Sequence, residues 1–353
     1  MEHRESTVEK MGLKKNLGKF FEQFKKHSFK DAIKNICYHI LTREQKRSFG
    51  TENEGKTIYI IRSIAEKSPF YIGPVYNLLA NYFYVLSHMQ YARDKDWIPV
   101  VDELNYPVYN SQDEPVNGTT NPWEFFWKQP GGISLESAYR SRNVVLSKQN
   151  WFWEWDMSYD PANYQNRETV SFFHDLSECA QLNDFMKEHV AEAVKKTFPP
   201  GKRILGVNVR IGGHAKASEE HGKGHPIQPE IEELIQIVQL RLREWNMDIV
   251  LLACDTEHAV KFFKEAFGDK LIVFQRRRAA LGTEFLEDSQ KNLYAPGNGY
   301  QTALDYLTEM ELLSQCNALI GSITSGFRYA VVRNGGRYEQ LEVIDRGKFS
   351  GRY

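Results

Sequence analysis

Arg210 follows the apolar run at 204–209, and Gly212 and Gly213 come just behind it. An arginine at the exit of a buried strand presents a guanidinium fork that can grip a phosphate from two sides; the same placement also suits an ion pair with an acid at a sheet rim. Three other strand exits carry polar chemistry. Cys254-Asp255-Thr256-Glu257 follows an apolar run, so Asp255 or Thr256 either caps a helix or meets a ligand. Gln275 precedes Arg276, Arg277 and Arg278, a run that reads as a solvated loop or as phosphate contacts. Finally, Ile320-Gly321-Ser322-Ile323-Thr324-Ser325-Gly326-Phe327-Arg328 joins a strand to a helix through a turn rich in hydroxyls. Backbone N–H groups at such a helix start, together with Ser and Thr hydroxyls, form an anion site. The turn has neither the GxxxxGK[ST] nor the GxGxxG pattern, which weakens the mononucleotide ATPase and nicotinamide dehydrogenase readings. An arginine exit and a hydroxyl-rich helix start in one α/β unit point to a diphosphate held without a metal.

These residues need a frame to bring them together. In the second half, strands are expected over 203–209, 248–253, 270–274 and 318–321, with a last short strand at 341–344. Helices are expected between them at 229–244, 257–267, 302–316 and 325–333. That alternation predicts a parallel, doubly wound sheet, in which ligands gather beyond the carboxyl ends of the strands. In the first half, a strand at 57–65, a turn at Gly73-Pro74, a helix of about 20 residues and a strand at 97–101 start a βαβ unit. Residues 103–165 are rich in Asn, Pro, Trp and Tyr with little periodicity, as recognition loops or an irregular subdomain would be. An amphipathic helix at 182–197 and the break Phe198-Pro199-Pro200-Gly201 follow. Three segments result: a helical extension at 1–50, an α/β unit at 51–198 and a second at 199–353.

Composition narrows the field further. The chain has 353 residues, 41% hydrophobic and 26% charged, which argues against wholesale disorder. Lys and Arg number 45 against 46 Asp and Glu, so a protein that coats nucleic acid is not expected. Cys37, Cys179, Cys254 and Cys316 are widely spaced, as free buried thiols would be rather than a zinc site. No apolar run approaches the roughly 20 residues that cross a bilayer, and no secretory h-region is seen, so a cytoplasmic location is expected. Leu13, Leu17, Phe20, Phe21 and Phe24 share one helix face, with Lys14, Lys15, Lys19, Lys25 and Lys26 around it. The basic stretch 9–47 suits docking on the protein by its aromatic face, or peripheral contact with the inner face of an anionic membrane.

The span from Gly206 to Arg333 resembles the donor domain of the fucosyltransferase superfamily, in particular the bacterial α-1,6-fucosyltransferases and the protein O-fucosyltransferases. The matching elements are Asn208-Val209-Arg210 for a strand ending in His-x-Arg, and His225-Pro226-Ile227 for a His-Pro-Ile helix start. Cys254-Asp255-Thr256, the acidic helix Glu309-Met310-Glu311-Leu312-Leu313-Ser314-Gln315, and Ser322-Ile323-Thr324-Ser325 follow in the family's order. Asn208 departs from the family's His. The first half matches less, with Gly73-Pro74-Val75-Tyr76-Asn77 as a loose counterpart of the family's opening turn.

The resemblance implies a GT-B fold: two Rossmann-like doubly wound domains facing a cleft, here with a helical N-terminal extension. It also implies inverting, metal-independent transfer of L-fucose from GDP-fucose to a glycan hydroxyl, with no cofactor beyond the donor. Arg210 would stabilise the leaving GDP, and Glu219 or Glu220 would be the general base, from a loop that also carries His214 and His221. Donor contacts would come from Asn208, Arg210, His225, Asp255, Ser322, Thr324 and Ser325, with Asp305 or Glu309 facing the guanine. Trp123-Glu124-Phe125-Phe126 resembles an aromatic–acidic element of the family. Trp123, Glu124 and Trp153 are the acceptor-side candidates, since their surroundings can stack on sugar faces or form a core. A glycan or lipid-linked glycan acceptor fits a role in polysaccharide biosynthesis.

Overall fold

The computed structural model of this chain describes residues 43–62, 78–104, 115–210, 225–278 and 299–349. In chain order, the first half contains β1 (Gln45–Arg47), β2 (Ile58–Arg62), α1 (Leu78–Asp94), β3 (Ile98–Asp102), α2 (Leu135–Ala138), β4 (Val144–Leu146), α3 (Pro161–Gln165), α4 (Arg167–Glu178) and α5 (Asp184–Thr197). The second half contains β5 (Ile204–Val209), α6 (Ile231–Glu244), β6 (Ile249–Cys254), α7 (Glu257–Phe267), β7 (Leu271–Val273), α8 (Gly299–Ser314), β8 (Ala318–Gly321), α9 (Ser325–Asn334) and β9 (Gln340–Val343).

The second sheet runs β7-β6-β5-β8-β9, with every neighbouring pair parallel. The chain builds outward from β5 to β7, then crosses back to lay β8 and β9 on the other side. Alternate residues feed two layers. Leu205, Val207, Val250, Leu252 and Ile320 pack with Leu234, Val238 and Phe263 of α6 and α7. Leu251, Ala253 and Leu319 face Leu307, Leu313 and Phe327 of α8 and α9. Helices on both faces make the sheet doubly wound, and strands buried on both sides explain the near-continuous apolar runs.

The first sheet runs β1-β4-β2-β3. β2 is parallel to both neighbours, while β1 lies antiparallel on the edge against β4. One face, with Ile58, Ile60, Val100 and Val144, covers Ala138 of α2; the other, with Tyr59, Ile61 and Val101, covers α1. The core on the α1 side is continuous with that of α8 and α9, and the Tyr82 and Tyr329 rings meet edge to face at 5.0 Å. Two Rossmann-like α/β sheets, as expected of a GT-B protein, therefore share one apolar layer.

Three local expectations change. Residues 45–47 form an edge strand where a continuing helix was expected, because Gln45 and Arg47 find register partners in β4. The rest of the expected basic helix, residues 9–42, lies outside the described residues, as does the Gly73-Pro74 turn. The aromatic stretch is not structureless, since it holds α2, β4 and short 3₁₀ turns at Pro122–Phe125 and Trp153–Trp155. Sequence reading also passed over α4, although its Asn166 cap and the apolar Val170, Phe173 and Leu176 at three-residue spacing mark it. Of the cysteines, Cys254 and Cys316 are buried free thiols, whereas Cys179 is exposed. Among the described residues, no helix is long and apolar enough to cross a membrane.

Candidate functional site

The second sheet's strand order reverses between β5 and β8, and ligands of open α/β sheets bind at the carboxyl end of such a switch point. Arg210 leaves β5 there. Its side chain is half-buried, and its Nε is shut off from water with no hydrogen-bond partner among the described residues. No rim ion pair to this arginine is seen among the described residues.

Across the switch point, β8 turns into α9 through Ser322-Ile323-Thr324. The close approach depends on Gly321, where a Cβ would come within 2.9 Å of the Asn208 carbonyl oxygen. A Cβ at Gly326 would meet Met310 Sδ at 2.7 Å, so that glycine lets the first turn of α9 lie against α8. Thr324 is the N-cap: its Oγ1 accepts from the Phe327 N–H at 3.0 Å and donates to Asn208 Oδ1 at 2.9 Å. Asn208, 8% exposed, thus fastens β5 to the start of α9. The Ser322 hydroxyl is buried and donates to the Ile344 carbonyl at 3.0 Å, so it holds the turn to the chain after β9. Ser325 opens α9 and is 9% exposed. The positive end of the α9 dipole and Arg210 converge on one strand edge, an arrangement suited to an anion.

Asp255 stands half-buried at the end of β6, the second strand from the switch point. In dinucleotide-binding sheets of this strand order, a carboxylate at that place bonds a ribose hydroxyl. The cap duty falls to Thr256, whose Oγ1 accepts from the Ala259 N–H at 3.3 Å, and Asp255 is not needed for it. Burial pushes the neighbouring Cys254 thiol up to about 12, which keeps it protonated.

The arginine run is not a solvated loop. The side chains of Arg276 and Arg278 are buried and both bind Glu309, through Arg276 Nε to Oε2 and Arg278 Nη2 to Oε1, each at 2.8 Å. Arg276 also donates to the Cys254 carbonyl at 2.6 Å and Arg278 to the Phe274 carbonyl at 2.7 Å, while Arg277 is exposed. Glu309 is fully buried and both its oxygens are taken, so it does not face a base as expected. It locks the chain leaving β7 onto α8. Asp305, one turn earlier, is half-buried and accepts from Gln301 at 2.7 Å; burial raises its carboxyl above the ordinary range. Of the two, Asp305 is the one left with access to a ligand.

His225 is exposed and lies beside the Tyr159 ring at 5.8 Å, with its carbonyl accepting from the Phe349 N–H. Glu219, Glu220, His214 and His221 lie outside the described residues.

The acceptor-side candidates separate. Trp123 is 0% exposed, stacks on Trp127 at 4.6 Å and donates Nε1–H to the Lys128 carbonyl, so it belongs to the core and offers no sugar a face. Glu124 accepts from Thr119 Oγ1 at 2.6 Å and Gln129 Nε2 at 2.7 Å, which makes it a brace of its loop. Trp153 is 67% exposed and stacked on Trp151 at 5.1 Å with 11° between the planes, an open aromatic face. Nearby, Asp156 forms a buried ion pair with Arg328 of α9, whose guanidinium covers the Phe83 ring at 4.1 Å. That pair ties the tryptophan turn to the helix whose N-terminus borders the switch point. Sequence reading did not single out either residue, because each needs its distant partner to be recognised.

Contrary to the expectation that an Asp-x-Asp motif is missing, Asp94-Lys95-Asp96 has that spacing of metal–diphosphate sites. Asp94 ends α1 and accepts from Gln90, and Asp96 lies in the turn before β3, at the amino end of that strand. Ligands gather at the opposite edge.

No family model and no curated protein matches the sequence. Solved structures do show likeness. NodZ α-1,6-fucosyltransferase soaked with GDP-fucose is 13% identical, with 78% of this chain and 92% of that chain covered and a TM-score of 0.42. A mutant of Arabidopsis thaliana FUT1 in complex with GDP is 12% identical, with 94% and 78% covered and a TM-score of 0.47. POFUT1 in complex with GDP-fucose is 8% identical, with 84% and 100% covered and a TM-score of 0.46.

Proposed function

We propose that this chain is a glycosyltransferase that moves L-fucose from GDP-fucose to a glycan hydroxyl, with inversion and without a metal. The observation that carries the reading is the switch point itself: an Arg210 whose buried Nε has no partner among the described residues, opposite the capped start of α9. The resemblance of five ordered motifs to fucosyltransferases supports the choice of donor. As the glycosidic bond breaks, negative charge develops on the departing diphosphate. Arg210 and the α9 dipole stabilise it, and Asp255 and Asp305 contact the nucleoside. Glu219 or Glu220 takes the acceptor hydroxyl proton. Trp153 supplies the acceptor's stacking face, from the 51–198 unit, while the 199–353 unit holds the donor.

Calorimetric titration with GDP, UDP and CDP tests the donor. Tight binding of GDP alone is expected, and Arg210→Ala should lower transfer from GDP-fucose by about 10²- to 10³-fold. Preference for UDP or CDP would move the chain to another donor. GDP binding without turnover of any nucleotide sugar would make it a binding protein.

A further inference from the structure

The first sheet has a switch point of its own. From β2 the chain passes through α1 to β3 on one side, and later returns as β4 on the other, so the strand order reverses between β2 and β4. The last residue of β2 is Arg62. Its main chain is tied to the segment after β4: the N–H donates to Ser147 Oγ at 3.0 Å, and the carbonyl accepts from Gln149 Nε2 at 2.6 Å. Among the described residues nothing ties the side chain: Nε and Nη2 are both shut off from water and have no hydrogen-bond partner there.

Those two nitrogens lie along one edge of the planar guanidinium, the edge that matches two oxygens of a carboxylate or phosphate. Asp102, the register partner of Arg62 on β3, does not fill it, since it accepts from the Tyr139 hydroxyl at 2.5 Å and from the Leu104 N–H at 3.1 Å. Asp102 therefore contributes charge at a distance, partly offset by Arg47, which also acts on Arg62. Buried guanidinium nitrogens without acceptors are costly, and a site at a switch point is where an open α/β sheet takes a ligand. Arg62 repeats on the first sheet what Arg210 does on the second.

We propose that Arg62 binds an oxyanion, a carboxylate or phosphate, carried by the sugar that the first half receives. On the transferase reading above, the acceptor glycan is therefore anionic. The test uses the full chain without GDP, titrated calorimetrically with glucuronate, glucose 1-phosphate and glucose. At least one anionic sugar should bind, with glucose at least tenfold weaker. Glucuronate alone identifies a carboxylate, and glucose 1-phosphate alone a phosphate. Arg62→Ala and Arg62→Lys should both weaken that binding tenfold or more while leaving GDP affinity within twofold. The lysine variant keeps charge and stem but loses the fork, so it carries the test if the alanine variant does not fold. The site is overturned if neither anionic sugar binds, if the variants bind them as the parent does, or if GDP affinity falls in step. Should GDP not bind the parent chain, the donor reading fails, while the anionic-sugar titrations still decide Arg62.

Discussion

The Thr324 hydroxyl serves two elements at once, accepting from the Phe327 N–H at 3.0 Å and donating to Asn208 Oδ1 at 2.9 Å. One side chain thus sets both the start of α9 and its position against β5. Thr324→Val keeps the shape and removes both bonds. Loss of an N-cap costs about 1–2 kcal/mol, so the urea midpoint should fall, and GDP affinity should fall with it. Thr324→Ser retains both bonds and should restore both readouts.

Glu309 neutralises one of two buried guanidinium groups and hydrogen-bonds both. Glu309→Gln leaves Arg276 and Arg278 without a counter-charge, and breaking a buried pair in this way typically costs about 3–5 kcal/mol. Chemical denaturation should show that loss. A triple variant with Arg276→Met, Arg278→Met and Glu309→Leu removes all three charges and should recover most of it. If Glu309→Gln were as stable as the parent, the clamp would be refuted.

Glu103 is 4% exposed at the carboxyl edge of β3 and bonds Asn81 of α1. Burial pushes its carboxyl from 4.5 up to about 8. The folded chain therefore keeps a proton that the unfolded chain has already released. Between pH 4.5 and 8, this group's contribution to stability is lost as pH rises, with a slope of about 1.4 kcal/mol per pH unit, and it levels off above 8. Glu103→Gln carries no titrating proton. Its urea midpoint should drop less than the parent's between pH 5 and pH 8, and equal slopes would contradict the assignment.

The two tryptophans should part in opposite ways. Trp123→Ala empties a core site and should destabilise the fold by about 3–5 kcal/mol. Trp153→Ala removes an exposed ring and should change stability by less than about 0.5 kcal/mol, while transfer to a glycan acceptor falls. Thermal melts and transfer assays on the two variants separate the roles.

Much of the second half was legible from local pattern alone. Apolar runs at 204–209 and 249–254, amphipathic helices between them, and the hydroxyl-rich turn before α9 all announce themselves within a few residues. Arg210 and Thr324 stand at strand ends for the same local reason. What sequence could not supply was anything that depends on partners far along the chain. Nothing near Arg276 and Arg278 identifies Glu309, 31 to 33 residues on, as the acid that buries them. Likewise, Asp156 and Arg328 are separated by 172 residues. Trp123 and Trp153 have similar aromatic, acidic neighbours, yet one is enclosed by Tyr82 and Trp127 and the other is open to water. Strand order is the largest case. Both sheets reverse at an interior strand, β2 in one and β5 in the other, only once the chain has folded, and that reversal makes Arg62 and Arg210 matching positions. Local periodicity follows from backbone geometry, whereas burial, pairing and switch points follow from which distant segments meet.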